Sequence, residues 1–200
     1  MISFQFFLFI AHLQAVLIPI FLSLKTIGRY KQFMYSFLIP LGFTCLGMAS
    51  MFEMLDHTKT DWIYINHSSL FNWLFYSFLS LGLTFLSTSV IRNKVLIYSN
   101  FFICILSIFS YLIIGKSFAL IFQIFISLFL ISNWQRIFKD WFFLAYPIFG
   151  ILFTTFFGIA LSSTSDQFWH IFIGPSGSIS VISFYLVLNR SQSKNRNFKI

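Results

Sequence analysis

The chain has 200 residues, of which 58% are apolar and only 9% charged, with 31 phenylalanines and a formal net charge of +8. A soluble domain carries roughly 25% charged residues, so water is excluded as the main solvent for this surface. The basic excess does not read as a nucleic-acid interface, because the 13 Lys and Arg fall in short gaps between apolar runs and form no single patch.

Crossing a bilayer takes about 20 mostly apolar residues. The first such run, 2–24, holds no Lys or Arg and is longer than the apolar region of a secretory signal, so it reads as a retained span. Within it His12, near Gln5 and Gln14, reads as a helix–helix hydrogen-bond partner. Six further runs follow at 34–56, 69–91, 95–114, 117–134, 141–161 and 168–188, each set off by at least one charge. The fifth is the shortest, and the gap before it, Gly115-Lys116, is the tightest. Cys45 and Cys104 fall in the middle of runs, which predicts small core residues and no disulfide. Pro19, Pro40, Pro147 and Pro175 are expected to bend their helices. Trp62, Tyr64, Trp73, Trp141, Tyr146 and Trp169 lie near the proposed boundaries and suit interfacial belts. The fold class is therefore all-α, a polytopic seven-transmembrane helix bundle over residues 1–188. A basic, flexible tail follows over 189–200.

Orientation follows from the cations, since cytoplasmic loops are enriched in Lys and Arg. Alternate connections hold Lys25, Arg29 and Lys31, then Arg92 and Lys94, then Arg136 and Lys139, and the tail adds Arg190, Lys194, Arg196 and Lys199. The opposite side has only Lys59 and Lys116. The split predicts an amino terminus outside and a carboxyl terminus in the cytoplasm. Four of the five acidic residues, Glu53, Asp56, Asp61 and Asp166, fall on the outer side. Carboxylates contribute little to orientation, so this asymmetry asks for a local cause.

The outer ends of three spans carry polar stripes. At about 100° per residue, Glu53 and His57 lie roughly 40° apart on span two, and Ser50 and Asp56 fall within about 60° of Glu53. Span seven opens with Asp166 and His170 one turn apart, and with Gly174 and Gly177 near that stripe to let a neighbour approach. Span three opens with Ser69, Asn72, Tyr76 and Ser80 at helical spacing. Ionisable residues inside spans are costly and mark functional sites by default. Imidazole and carboxylate on facing helices also suit zinc, whose bound water becomes a nucleophile near pH 7. In that scheme His57 and His170 are the first ligands. Glu53 or Asp166 completes the shell or acts as general base, and Ser50 and Asn72 steady the water or oxyanion. The bland alternative has Asp56, His57 and Asp166 reaching headgroup water at helix ends, with Asp166 capping span seven. His67, beside Asn66, reads as a solvated loop residue.

The segment DQFWHIFIG at the start of span seven resembles the last-span motif of the alkaline ceramidases, seven-span hydrolases with a His-x-x-x-His pattern. Phe168, Trp169, His170 and Gly174 match, while Asp166 stands in place of the first His. Gly47 and Ser50 resemble the family's second-span Ser-x-x-x-His, with Met54 at the His position and Glu53 beside it. The resemblance implies a zinc-dependent hydrolase acting on the amide or ester of a membrane lipid. The competing expectation is a non-enzymatic seven-span protein, whether proton-coupled carrier, receptor or assembly factor. It would use the same carboxylate–His cluster to hold a proton, a lipid or a small molecule.

Overall fold

A computed structural model describes residues 4–57, 64–65, 68–139, 148, 152 and 170–197. Among them six helices form: α1 (Phe4–Thr26), α2 (Leu38–His57), α3 (Leu70–Ser89), α4 (Lys94–Ile113), α5 (Lys116–Phe138) and α6 (His170–Asn197). A minimal antiparallel pair, β1 (Tyr64–Ile65) with β2 (Ser68–Ser69), precedes α3. Five of these helices, α1 to α5, are long and apolar enough to cross a membrane. Of the sixth expected span, 141–161, only residues 148 and 152 are described.

Two expected boundaries move. The fifth span is not short, because α5 runs 23 residues and takes in Arg136 before Lys139 ends it in a left-handed conformation. The last helix does not stop at residue 188 but continues through Asn197.

The helices are apolar outside, and inside they mix apolar residues with polar stripes. On α4 the exposed stripe is Val95, Tyr98, Phe102, Ile105, Phe109 and Ile113, while the buried one is Asn100, Cys104, Ser107 and Tyr111. Both recur at three- and four-residue spacing, the period of a helix face. Lipid solvates the first stripe, and the second must find partners within the bundle. On α3 the buried face is Ser77, Ser80, Thr84 and Ser87, and on α5 it is Ala119, Gln123, Ile126, Leu130 and Asn133. The central helix is α3, which packs against α2, α4 and α5. Cys45 and Cys104 are buried free thiols, as expected.

Small residues set the closest approaches, as in other membrane bundles. A Cβ built on Gly42 would stand 3.1 Å from the Gly82 carbonyl oxygen, and one on Gly82 3.0 Å from that of Gly42. At Gly174 it would stand 2.6 Å from the carbonyl oxygen of Ala11, so α1 and α6 meet nearly backbone to backbone. Gly177, expected to share this role, has nothing within 4 Å of such a Cβ. Gly115 turns α4 into α5 with φ +114, a conformation that glycine adopts without a Cβ penalty.

The two ends of the bundle differ. At the basic end Tyr30 donates to Asn189 Oδ1 at 2.8 Å, tying the α1–α2 loop to α6, and Phe33 meets Phe138 edge-on. The apolar core sits in this half, where the Trp134 ring is 5.3 Å from those of Phe138 and Phe184. Asn100 donates to the Thr84 carbonyl and the Thr88 hydroxyl, Asn133 to Ser87, and Trp134 to the Leu86 carbonyl. In α6, Ser176, Ser178, Ser180 and Ser183 each donate to the carbonyl four residues earlier, which satisfies their hydroxyls inside their own helix. His12 does the same in α1, with Nδ1 2.8 Å from the Leu8 carbonyl.

Candidate functional site

At the acidic end, α2 finishes in Glu53 and Asp56, and the first turn of α3 faces it with Asn72. The Asn72 amide donates from Nδ2 to Asp56 Oδ2 at 3.0 Å. Its other atom, Oδ1, accepts from the Tyr111 hydroxyl of α4 at 2.6 Å. One amide thus joins three helices, and its orientation is set by having a carboxylate on one side and a phenol on the other. Glu53, Asp56 and Asn72 are half-buried, so this junction is reachable.

One turn deeper on α3, the Tyr76 ring lies 5.4 Å from that of Tyr111, and its hydroxyl is within electrostatic reach of Glu53 and Asp56. Lys116, exposed at the start of α5, places its ammonium 6.0 Å from the Tyr76 ring. Below them Gln123 donates to the Tyr76 carbonyl at 3.0 Å and to Ser80 Oγ at 3.2 Å. Ser80 and Ser107 are 2.8 Å apart, and Ser107 donates onward to the Ala119 carbonyl. Since Ser107 spends its proton there, Ser80 donates to Ser107, and the direction of the whole chain is settled. It starts at an amide and stops at a backbone carbonyl.

The expected site residues fare unequally. Asp56 of α2 meets Asn72 of α3, while Tyr76 lies one turn deeper and Ser80 is bonded to Gln123 and Ser107 below it. Glu53 belongs to the same corner through Tyr76, while Ser50 stands one turn deeper on α2, half-buried and outside the hydrogen-bonded chain. His57 ends α2 and His170 begins α6, but their side chains lie outside the described residues, as do Asp166, Asp61 and His67. Among the described residues, no three His, Cys, Asp or Glu side chains gather to hold a metal ion. Trp73, expected in an interfacial belt, donates to the Ile108 carbonyl and so helps to pack α3 on α4.

Tyr111, Ser107 and Gln123 are contributors that sequence reasoning passed over, and Lys116 was weighed only as a loop charge. A signal existed for the α4 pair, because Asn100, Cys104, Ser107 and Tyr111 form a regular polar face on a helix otherwise built of Phe, Ile and Leu.

A family model described as seven transmembrane receptor matches residues 4–194. No curated protein and no solved structure matches the chain.

Proposed function

Since the chain belongs to the seven transmembrane receptor family, we propose that this integral membrane protein is a receptor whose acidic end binds a small organic cation. One observation carries the reading: Asp56, Asn72 and Tyr111 form a hydrogen-bonded junction across three helices, half-buried at Asp56 and Asn72 and on the same helix as a second carboxylate, Glu53. Carboxylates supply the counter-charge for a ligand ammonium, and Glu53 and Asp56 are both half-buried and so within a ligand's reach. A ligand that drew on Asp56 would also pull on Asn72 and Tyr111, and so on the spacing of α2, α3 and α4. That linkage is what a receptor needs to turn binding into movement. The eleven-to-two division of Lys and Arg supports an acidic end facing outward, with the amino terminus outside and the carboxyl terminus in the cytoplasm.

A proton carrier is less well supported. The Gln123–Ser80–Ser107 chain runs from an amide that does not exchange protons readily to the Ala119 carbonyl, and so offers no through path. The hydrolase reading has no observation in its favour among the described residues.

The test is binding of a choline and alkylammonium series to the purified full chain in lipid nanodiscs. Saturable binding is expected, weakened about tenfold or more in Asp56→Asn, in line with the ~1.5–3 kcal/mol of a hydrogen bond to a charged group. Tyr111→Phe, which frees one side of Asn72, should weaken it less. Unchanged binding in Asp56→Asn would remove the basis of the proposal. Stoichiometric zinc with turnover of a lipid amide would replace it by the hydrolase.

A further inference from the structure

We propose that the basic end carries a cleft for the headgroup of an anionic phospholipid, between the start of α2 and the start of α4. The inference stands apart from the acidic-end reading and shares no residue with it. The cleft has a volume of about 240 Å³ and is lined by Thr88 of α3, by Ile97 and Phe101 of α4, and by Tyr35, Lys94 and Tyr98. Thr88 is almost completely buried and lies deepest, whereas Lys94 and Tyr98 are exposed at the mouth.

Three features point to this occupant. The first is chemical: an ammonium and two phenols ring an opening whose walls are apolar, which suits an amphiphile with a negative head. Basic pockets between transmembrane helices bind anionic headgroups in this way. No carboxylate lies at this end among the described residues, so the Lys94 charge meets none there. Lys94 also sits in the first turn of α4, where a cation opposes the helix macrodipole, so helix stability does not explain its position.

The second feature is size. Pockets for drug-sized ligands span about 300–1,000 Å³, so a cavity of 240 Å³ accommodates a headgroup and not a whole lipid. The third is what lies beside the mouth. The exposed stripe of α4 leads from Tyr98 through Phe102 and Ile105 to Phe109, a path of about 16 Å at the helical rise. An acyl chain can lie along it while the phosphate stays at Lys94. Inorganic phosphate would gain nothing from that stripe or from Ile97 and Phe101, which is why the occupant is a lipid and not the free ion.

The experiment uses the full chain in detergent micelles and a fluorescent short-chain phosphatidylglycerol, followed by anisotropy. Saturable binding with preference over the matching phosphatidylcholine is expected. Lys94→Gln should weaken it about fivefold, the equivalent of about 1 kcal/mol for one cation near an anionic headgroup, while Lys94→Arg retains it. Arg136→Gln removes a charge from the same end outside the cleft and should leave the affinity unchanged. Equal losses in Lys94→Gln and Arg136→Gln would show diffuse surface attraction and overturn the proposal. Equal binding of phosphatidylcholine, or displacement by an equimolar amount of inorganic phosphate, would overturn it too.

Discussion

Along α3 the same kinds of polar side chain are put to two different uses. Toward the acidic end, Asn72 and Tyr76 meet a carboxylate, a phenol and a lysine, in a corner where Asp56 and Asn72 remain half-buried. Toward the basic end, the buried Thr84, Ser87 and Thr88 meet the neutral amides of Asn100 and Asn133 and are flanked by Trp134. Both halves pair polar groups within a membrane, as hydrocarbon requires of a span, although Thr84 Oγ1 and Asn100 Oδ1 in the second have no hydrogen-bond partner among the described residues. Only the first sets them beside carboxylates, and Asp56 and Asn72 there are half-buried. Polarity inside a span is therefore ordinary packing until a titratable group and a way in are both present.

The largest expected effect breaks the closed half. Trp134 is fully buried, with its indole bonded to Leu86, so Trp134→Ala should lose about 3–5 kcal/mol of folding stability. Unfolding in mixed micelles measures this, and the fraction still folded should bind ammonium probes as the parent does. Loss of that binding would show that the halves are not independent. A smaller effect sharpens the contrast. Side-chain hydrogen bonds inside membranes average about 0.6 kcal/mol and reach about 1.7. Asn100→Ala, which breaks two buried bonds, should therefore destabilise by about 1 kcal/mol and leave probe affinity alone. Asn72→Ala should show the reverse, with affinity falling and the unfolding midpoint nearly fixed. Exchanged behaviour would mean that the two amides had been assigned to the wrong roles.

The smallest effect concerns the basic end outside the spans. Tyr30→Phe removes the bond to Asn189 and should lower stability by about 0.5–1 kcal/mol. Burial, helped by Tyr185 and opposed by Arg29, pushes the Tyr30 phenol up to about 12. A raised folded value means that the native state holds its proton longer than the unfolded chain, whose tyrosines titrate near about 10. The contribution of Tyr30 is then complete below pH ~10 and lost as pH rises toward about 12. Unfolding midpoints taken at pH 8 to 11 should fall more gently in the Phe variant.

Much of this was legible in the residue order. The spans show themselves because hydrocarbon demands long apolar stretches, and Asp56 and Asn72 announce themselves as polar groups at the ends of successive spans. Tyr111 and Gln123 did not, because their roles depend on which helices become neighbours and how each is rotated. The two residues between α4 and α5, with Gly115 at the turn, did force those helices to lie side by side, but nothing local said that both would lean on α3. The longer reach of α5 was hidden for another reason: Arg136 reads as a loop charge until the helix is seen to carry it at its end.

The contact of Gly174 with Ala11 joins the first helix to the last one described. Its consequence concerns biosynthesis. While the ribosome is still making the middle of the chain, the α1 surface around Ala11 waits in the bilayer without its final neighbour. The bundle therefore closes only when the carboxyl-terminal helix emerges, and a chain truncated before it leaves an unsealed seam for quality-control proteases to find.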